Sequence, residues 1–353
     1  MKRINFSGIT RHITIIISVF FTLFSTEASG QEYAIGADLS FLKSAEDRDF
    51  AFKENDSAKK GLLIFRDHGY NWIRLRLFHT PTTLPNNLEY TIKLAREAKD
   101  LGFKFLLDYH YSDTWADPGK QYIPKAWEKM SHKELVRAVY DYTSETIRAF
   151  KDSGVLPEMV QIGNEVINGM LWPDGKLPEN WDNFAELVRA GVEGVYAGSG
   201  QNDPPEIMIH IDQGGNKEKT KYFFDKFLSY GIAFDYIGQS YYPWWHGTLL
   251  DLRNNMIFMS KEYKKPVILV EVAYCSSPTE YRNKPAPFPE TPEGQKEFLD
   301  EVNDIVLNTP DNLGVGIFWW EPATMGGRSS RDYFDEQGNV LPVITVFDKW
   351  TRK

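Results

Sequence analysis

Two glutamates stand in apolar stretches where a carboxylate could perform chemistry. Glu165 ends the run QIGNE, and Glu271 lies in the middle of ILVEVAY. A lone carboxylate in such a run is costly to bury unless it meets a partner or lines a cavity. Two converging acids suit glycosidic bond hydrolysis, in which one is neutral and protonates the leaving oxygen while the other is ionised. The alternative is that Glu271 pairs with an arginine for stability alone, although buried ion pairs seldom stabilise in net terms.

The stereochemistry of such a reaction depends on a distance that the sequence does not give. Carboxyl groups about 5–5.5 Å apart lead to retention of configuration, and groups about 6.5–9.5 Å apart lead to inversion. A guanidinium could hold the ionised partner, and IRLRL offers Arg74 and Arg76 with the same parity. We favour Arg76, because it is nearer the end of its run. Other apolar runs end in further candidate groups, namely His110, Asn164, Tyr241, Tyr242 and Trp320, with Glu321 as a third, lower-ranked acid.

The candidate groups lie on or near the ends of eight apolar runs, each of which predicts a β-strand. The candidate runs are Tyr33–Ser40, Trp72–Phe78, Phe103–His110, Glu158–Glu165, Glu206–Asp212, Phe234–Tyr242, Pro266–Tyr274 and Gly314–Glu321. Their nearly continuous apolar character is typical of parallel strands covered by helices. Helical patterns separate the runs, at Asp56–Asp67, Leu88–Leu101, Ser131–Phe150, Trp181–Tyr196, Glu218–Tyr230, Leu249–Tyr263 and Thr291–Leu307.

Repeated strand–helix units in one chain predict an α/β fold, a single (β/α)8 TIM barrel over residues 31–353. The alternative is a doubly wound open sheet, which would want a glycine-rich phosphate loop after an early strand, and the sequence has none. In a barrel, the carboxyl ends of the strands and the loops after them build the active site. Most of the candidate groups stand at those ends.

The first 30 residues have the pattern of a secretory signal peptide. Lys2, Arg3 and Arg11 precede an apolar stretch, 13–24, and small residues precede a cut near Gly30/Gln31. The apolar stretch is shorter than the ~18 residues that span a bilayer. We therefore expect a secreted protein, periplasmic or extracellular, without membrane insertion after signal removal. An uncleaved N-terminal anchor is the alternative.

Charge and cysteine content restrict the partners. The net charge of −9 disfavours nucleic acid, whose phosphates require Lys and Arg, and favours a neutral polysaccharide over anionic pectin. Cys275 is the single cysteine, so no intrachain disulfide exists, and export without disulfides fits a bacterial envelope or medium. Nothing in the sequence calls for a second subunit, and we expect a monomer.

Longer strings carry a family resemblance from about Tyr33 to Glu321. GADLSFL, RLRLF, LDYHYSDTWADPGKQ, VQIGNEVINGMLWP, IGQSYYPWWHGT, ILVEVAY and FWWEP, in this order, resemble the arabinogalactan endo-β-1,4-galactanases of glycoside hydrolase family 53. The resemblance implies a TIM barrel that cleaves internal β-1,4-galactosidic bonds of plant galactan with retention of configuration. It assigns Glu165 as general acid/base and Glu271 as nucleophile, and it directs Asn164 to the sugar 2-hydroxyl.

The resemblance also implies a set of substrate-binding residues. They are Asp38, Arg76, His110, Tyr241, Tyr242 and Trp320 around the cleaved bond, and Asp113, Trp115, Asp117 and Trp172 on flanking sugars. Bacterial relatives often carry calcium in the loops after strands 7 and 8. Here the corresponding loop, YCSSPTEYRNKPAPFPETPEG, has few oxygen ligands at close spacing, and hard cations want six or more. We therefore predict no metal and no cofactor.

Three other functions compete with this interpretation. An endo-xylanase or endo-mannanase of the same clan would share the two glutamates. A non-catalytic sugar-binding barrel would keep the tryptophans and lose one carboxylate, whereas both are present. A metal-dependent hydrolase would need clustered ligands, whereas His110, His210 and His246 are scattered over three predicted strands.

Overall fold

A computed structural model of the chain describes residues 32–350, apart from 201–203, 279–282, 285 and 325–328. The predicted signal peptide, residues 1–30, lies outside the described residues. Eight parallel strands close into a barrel in which each strand pairs with the next and the last pairs with the first. The strands are β1 (Ala34–Asp38), β2 (Trp72–Leu77), β3 (Lys104–Tyr109), β4 (Met159–Ile162), β5 (Glu206–Ile211), β6 (Tyr236–Tyr241), β7 (Val267–Val272) and β8 (Gly314–Trp319). The predicted (β/α)8 barrel is confirmed.

Helices connect the strands and cover the barrel. They are α1 (Leu42–Glu46), α2 (Gly61–Asp67), α3 (Leu88–Asp100), α4 (His132–Asp152), α5 (Trp181–Ser199), α6 (Lys217–Leu228), α7 (Leu249–Tyr263) and α8 (Pro292–Leu307). Ser131 and Glu134 form the capping box predicted at the start of α4. A 3-10 segment, Pro342–Trp350, packs against α8 after the last strand. No described helix has the length and apolar character needed to cross a membrane.

The first predicted helix is wrong over its first five residues. Asn55 and Asp56 adopt left-handed conformations, with φ of 50° and 60°, and turn the chain between two short antiparallel strands, Lys53–Glu54 and Ser57–Ala58. Asn and Asp tolerate this conformation better than other non-glycine residues, so the turn competes with the helix. The helix then begins at Gly61, whose main-chain N–H donates to Glu46.

The barrel interior changes character along the strands. An apolar cluster with members from all eight strands comprises Ala34, Trp72, Leu106, Met159, Met208, Tyr236, Ile268, Val270, Val315 and Phe318. A Cβ on Gly36 would lie 2.2 Å from the Phe318 ring, so glycine leaves that ring its space. Side chains alternate faces along a strand. Two positions further along β2 to β5 the same face therefore carries Arg74, Asp108, Gln161 and His210, all buried.

Candidate active site

The carboxyl ends of the strands surround a cleft of about 760 Å³. Nine of the thirteen predicted site residues line it, namely Arg76, His110, Trp115, Asp117, Asn164, Glu165, Tyr242, Glu271 and Trp320. Most come from strand ends or from the residues directly after them, which is where a parallel barrel exposes side chains to a ligand. The cleft is thus built from residues that are far apart in the chain.

Glu165 reaches the cleft from a strained position directly after β4. Its backbone is left-handed, with φ 48° and ψ 53°, a conformation that costs a non-glycine residue about 1–3 kcal/mol and persists where surrounding structure holds it. The side chain is buried, and its Oε1 accepts a hydrogen bond from the Ser240 hydroxyl at 2.6 Å. The strain therefore coincides with a carboxyl that is aimed into the cleft.

Glu271 owes its orientation to an irregularity of the sheet. Gln239 of β6 pairs with Leu269 of β7, but the next residue, Ser240, pairs with Glu271, so one residue of β7 is skipped. Such a bulge re-aims a side chain next to a site. It lets Val270 join the apolar cluster inside the barrel while its neighbour Glu271 lines the cleft.

Arg74 holds Glu271 from below. One guanidinium nitrogen, Nη1, donates to Glu271 Oε1 at 2.7 Å and lies 3.1 Å from Asp38. The other, Nη2, donates to Asp108 and to the side-chain oxygen of Asn164, both at 2.9 Å. The preference for Arg76 as the partner of Glu271 is therefore wrong, because both arginines point inward and Arg74 is the deeper one, level with the carboxylate.

Arg76 instead pairs with Glu321, the third candidate acid. The two side chains are 2.7 Å apart and nearly fully buried. The guanidinium also lies over the rings of Phe41 and Trp115, with centroids at 4.8 Å and 4.4 Å. Arg76 thus lines the cleft wall and holds Trp115 by a cation–π contact.

The two glutamates differ in their electrostatic surroundings. Burial raises the pKa of Glu165 well above its ordinary value, and the negative charges of Glu271 and Asp212 add to this rise. Burial also raises the pKa of Glu271, but the Arg74 guanidinium and the Tyr242 hydroxyl, 2.9 Å from Oε2, oppose the rise. Glu271 is therefore the carboxyl that ionises first, and Glu165 is the one that retains its proton.

His110 and Asn164 are held by the loop after β3. The main-chain N–H of Ala116 donates to His110 Nδ1 at 2.9 Å, so this nitrogen is an acceptor, and Nε2 lies 3.1 Å from Asp108. Burial lowers the pKa of His110. The Asn164 side-chain amide donates one hydrogen to the Ala116 carbonyl, which leaves its second hydrogen for another acceptor.

Aromatic rings form much of the wall. Trp115 and Trp320 meet edge to face, with centroids 6.3 Å apart, and Arg331 lies over Trp320 at 4.4 Å. Tyr242 meets Trp320 edge to face as well. Trp245, which the sequence did not single out, lines the cleft with half of its surface exposed. Flat exposed aromatic faces suit the apolar faces of sugar rings.

Four predicted substrate-binding residues do not line the cleft. Asp38 lies beneath it, accepting hydrogen bonds from Ser40 and Arg74. Asp113 ties the loop after β3 to the loop after β2, because it accepts from the main-chain N–H groups of Lys125 and Thr80.

The other two are aromatic. Tyr241 points outward, because its neighbour Tyr242 takes the inward position, and its ring stacks on Phe298 of α8. Trp172 lies on the loop after β4, where its indole N–H donates to the carbonyl of Asn168. Neither ring lines the cleft, and the sugar contact expected of each stays a prediction.

The structure adds cleft residues that sequence reasoning missed. They follow β3, β5, β6 and β8, and they are Ala116, Pro118, Lys120, Asp212, Gln213, Asn216, Lys219, Trp245, His246 and Arg331. Burial raises the pKa of Asp212 to about 7. Strand alternation could have identified Asp212, since Met208, His210 and Asp212 are two residues apart and share a face of the strand. Lys219 lies in the first turn of α6, and Arg331 comes from a loop, where no such periodicity exists.

Among the described residues, no group of three or more His, Cys, Asp or Glu side chains is arranged to hold a metal ion. The loop after β7, for which the family resemblance raised the question of calcium, lies partly outside the described residues. The absence of a metal and of a cofactor remains a prediction.

A parallel (β/α)8 barrel with two buried glutamates in one rim cleft places the protein in the class of barrel glycoside hydrolases, which act on O-glycosyl bonds. The chain belongs to glycosyl hydrolase family 53, whose family model matches residues 34–350. The resemblance stated from the sequence is thus confirmed.

Individual relatives cover most of the chain. An uncharacterized protein of Niallia circulans is 40% identical over 336 residues, 90% of each chain. The arabinogalactan endo-β-1,4-galactanase A of Aspergillus niger is 35% identical, covering 89% of this chain and 93% of its own. A solved structure from work on two fungal β-1,4-galactanases superimposes with a TM-score of 0.83 at 31% identity, covering 90% of this chain and 99% of that one.

Proposed function

We propose that this protein is a secreted endo-β-1,4-galactanase that cleaves internal bonds of galactan or arabinogalactan with retention of configuration. The observation that carries the proposal is the pairing of Glu165 and Glu271 in one cleft, where burial raises both pKa values but only Glu271 has a guanidinium that opposes the rise. The substrate comes from relatives such as the Aspergillus niger enzyme, which is named for its action on arabinogalactan.

In the first chemical step Glu165 acts as general acid. It donates its proton to the glycosidic oxygen as the bond to the anomeric carbon breaks, and the Glu271 carboxylate attacks that carbon from the opposite face. The Arg74 and Tyr242 contacts keep Glu271 ionised and oriented. The products of this step are a shortened chain and a glycosyl ester on Glu271.

In the second step the roles reverse. The ionised Glu165 takes a proton from a water molecule, the water oxygen attacks the anomeric carbon, and Glu271 leaves as a carboxylate. Two inversions give net retention. Because the surroundings of Glu165 favour its neutral form, the end of this step restores the acid needed for the next cycle.

The remaining cleft residues position the sugar chain. The second amide hydrogen of Asn164 is available to the 2-hydroxyl of the sugar being cleaved, a contact that strengthens in the transition state. Trp115 and Trp320 offer ring faces and edges to neighbouring galactose units. The axial 4-hydroxyl of galactose bends a β-1,4 chain, and we expect the bound chain to curve along the cleft.

The location of the enzyme follows from the N-terminal signal. Cleavage near Gly30/Gln31 would release a barrel that acts outside the cytoplasm on the galactan side chains of plant pectin. Mass spectrometry of the exported protein tests this step, because a mature N-terminus at Gln31 is expected. An N-terminus at Met1 in the exported protein would instead indicate an uncleaved anchor.

Digestion of linear β-1,4-galactan tests the substrate. Chromatography over time should show a ladder of oligosaccharides early in the reaction, as internal cleavage requires. Xylan and mannan are the comparison substrates, and product from either of them without product from galactan would contradict the substrate assignment. Glu165→Gln and Glu271→Gln serve as inactive controls for the preparation.

Two further measurements test the mechanism. Proton NMR of the first products should show the β-anomer before mutarotation, whereas an initial α-anomer means inversion. A 2-deoxy-2-fluoro galactosyl fluoride should label Glu271, since the fluorine slows release of the ester more than its formation. A label on any other residue would remove Glu271 from the role of nucleophile.

A further inference from the structure

A buried histidine and a buried serine lie behind the carboxyl of Glu165. His210 on β5 and Ser240 on β6 are both fully buried. His210 Nε2 lies 2.8 Å from the Ser240 oxygen, and that oxygen lies 2.6 Å from Glu165 Oε1. Neither residue lines the cleft, so substrate binding does not explain the pair.

The hydrogen bonds around His210 identify its tautomer. The main-chain N–H of Glu165 points at Nδ1 at 3.4 Å, so Nδ1 acts as the acceptor. The Asn164 oxygen, 3.1 Å from Nδ1, already accepts from Arg74 and Gln161, which occupies both of its lone pairs. A neutral imidazole then carries its hydrogen on Nε2 and donates it to Ser240.

This tautomer directs the serine hydroxyl. Since the Ser240 oxygen accepts from His210 Nε2, its own hydrogen is available for Glu165 Oε1. Burial lowers the pKa of His210 well below its ordinary value, which keeps the imidazole neutral and the direction of the chain fixed. The imidazole of His210 thus accepts a hydrogen bond from the strained main chain of Glu165. It also acts on the Glu165 carboxyl indirectly, through the hydroxyl of Ser240.

We propose that His210 and Ser240 are positioning residues for the general acid/base, holding Oε1 of Glu165 as a hydrogen-bond acceptor so that the proton it exchanges is carried on Oε2. The chain restricts which oxygen carries the proton, and it supports the left-handed backbone that aims the carboxyl into the cleft. This inference rests on the proposed role of Glu165.

Leaving-group dependence tests the proposal. Galactan has an alkoxide leaving group that needs a proton, whereas a 2,4-dinitrophenyl β-galactobioside has a leaving group that departs without one. Ser240→Ala should lower kcat/KM for galactan by about 10- to 100-fold, the range for losing a hydrogen bond to a charged or reacting group. With the dinitrophenyl substrate, kcat/KM should stay within about 3-fold of wild type, as expected when only proton transfer is impaired.

Matched variants distinguish loss of the positioning hydrogen bonds from general loss of packing in the barrel. Ser260 is equally buried and its hydroxyl donates to the main-chain oxygen of Ile257 on α7, so Ser260→Ala should leave both substrates unaffected. His210→Gln places an amide N–H near the position of Nε2 and should retain more galactan activity than His210→Met. If Ser240→Ala fails to accumulate as folded protein, this histidine pair provides the same comparison.

The outcomes distinguish this proposal from the proposed function. Equal losses on both substrates in Ser240→Ala, or equal activity of His210→Gln and His210→Met on galactan, would overturn the positioning role. Glu165→Ala is the reference, since a general acid must show the leaving-group selectivity itself. If Glu165→Ala loses both activities equally, or wild type leaves galactan intact, the proposed function fails instead.

Discussion

The barrel interior holds two layers that differ in almost every physical respect. The lower layer, defined by the ten-residue apolar cluster that includes Trp72, Leu106 and Phe318, is apolar and uncharged. The layer above it contains Arg74, Asp108 and Glu271, with ion pairs and hydrogen bonds between them. The same eight strands supply both layers. The comparison shows that one barrel can use its lower interior layer for stability and the layer above it for chemistry.

Burying charges in the upper layer costs free energy, and many ion pairs and hydrogen bonds offset that cost. Each charge there is buried, and a buried charge is tolerated only when it is paired and hydrogen-bonded. Arg74 alone contacts three carboxylates and two amide oxygens. The lower layer has no comparable demand, because apolar contacts are non-directional. Substitutions in the two layers should therefore fail in different ways.

The largest expected effect is on turnover by Glu271→Gln. Removing the proposed nucleophile should lower kcat on galactan by about 10³-fold or more, because the residue acts only in the chemical step. Galactan binding, measured by calorimetry, should persist. Circular dichroism confirms the fold, and turnover within about 10-fold of wild type would contradict the assignment.

Arg74→Met should damage both stability and activity. It leaves Asp38, Asp108 and Glu271 as negative charges without their shared cation, and breaking a buried pair costs about 3–5 kcal/mol. The free energy of unfolding in urea measures this loss. Arg74→Lys is the matched control and should recover part of the stability, because it keeps the charge but not the planar fork.

Leu106 and Asp108 sharpen the comparison most directly, since they stand two residues apart on one face of β3. Leu106→Ala should cost about 2–5 kcal/mol of unfolding free energy and leave kcat nearly unchanged below the melting transition. Asp108→Asn should instead lower kcat, because Asp108 orients Arg74 and Gln161. A drop of 10-fold or more in kcat for folded Leu106→Ala would show that the layers are not separate.

The sequence predicted the layers unequally well. All eight strands were located, because parallel strands covered by helices read as continuous apolar runs. Glu165 and Glu271 stood out because charge interrupts those runs. The pairing of Glu271 with Arg74 instead of Arg76 was missed, since it depends on how the strands are staggered in the closed barrel.

Local geometry explains the other misses. The bulge in β7 that turns Glu271 toward the cleft depends on pairing with β6, which no single run of residues reveals. Tyr241 was chosen beside Tyr242 although strand alternation allows only one of two neighbours to face inward. Trp245 and Arg331 come from loops, where the sequence has no period to place them.

The smallest expected effect concerns Asp212, a carboxyl at the boundary between buried network and open cleft. Burial raises its pKa to about 7, so the folded state prefers the protonated form. The stabilising preference is fully present below the ordinary pKa of about 4 and is lost as the pH rises through 7. Wild type should therefore lose stability between pH 5 and pH 8 through this group.

Asp212→Asn removes that loss, because an amide stays neutral at every pH in this range. Relative to wild type, its unfolding free energy should rise by about 2–3 kcal/mol between pH 5 and pH 8. Asp117→Asn is the control, since Asp117 lines the same cleft but is partly exposed and paired with Lys120. If both variants respond alike to pH, burial of Asp212 is not the cause, and the boundary between the two environments lies elsewhere in the cleft.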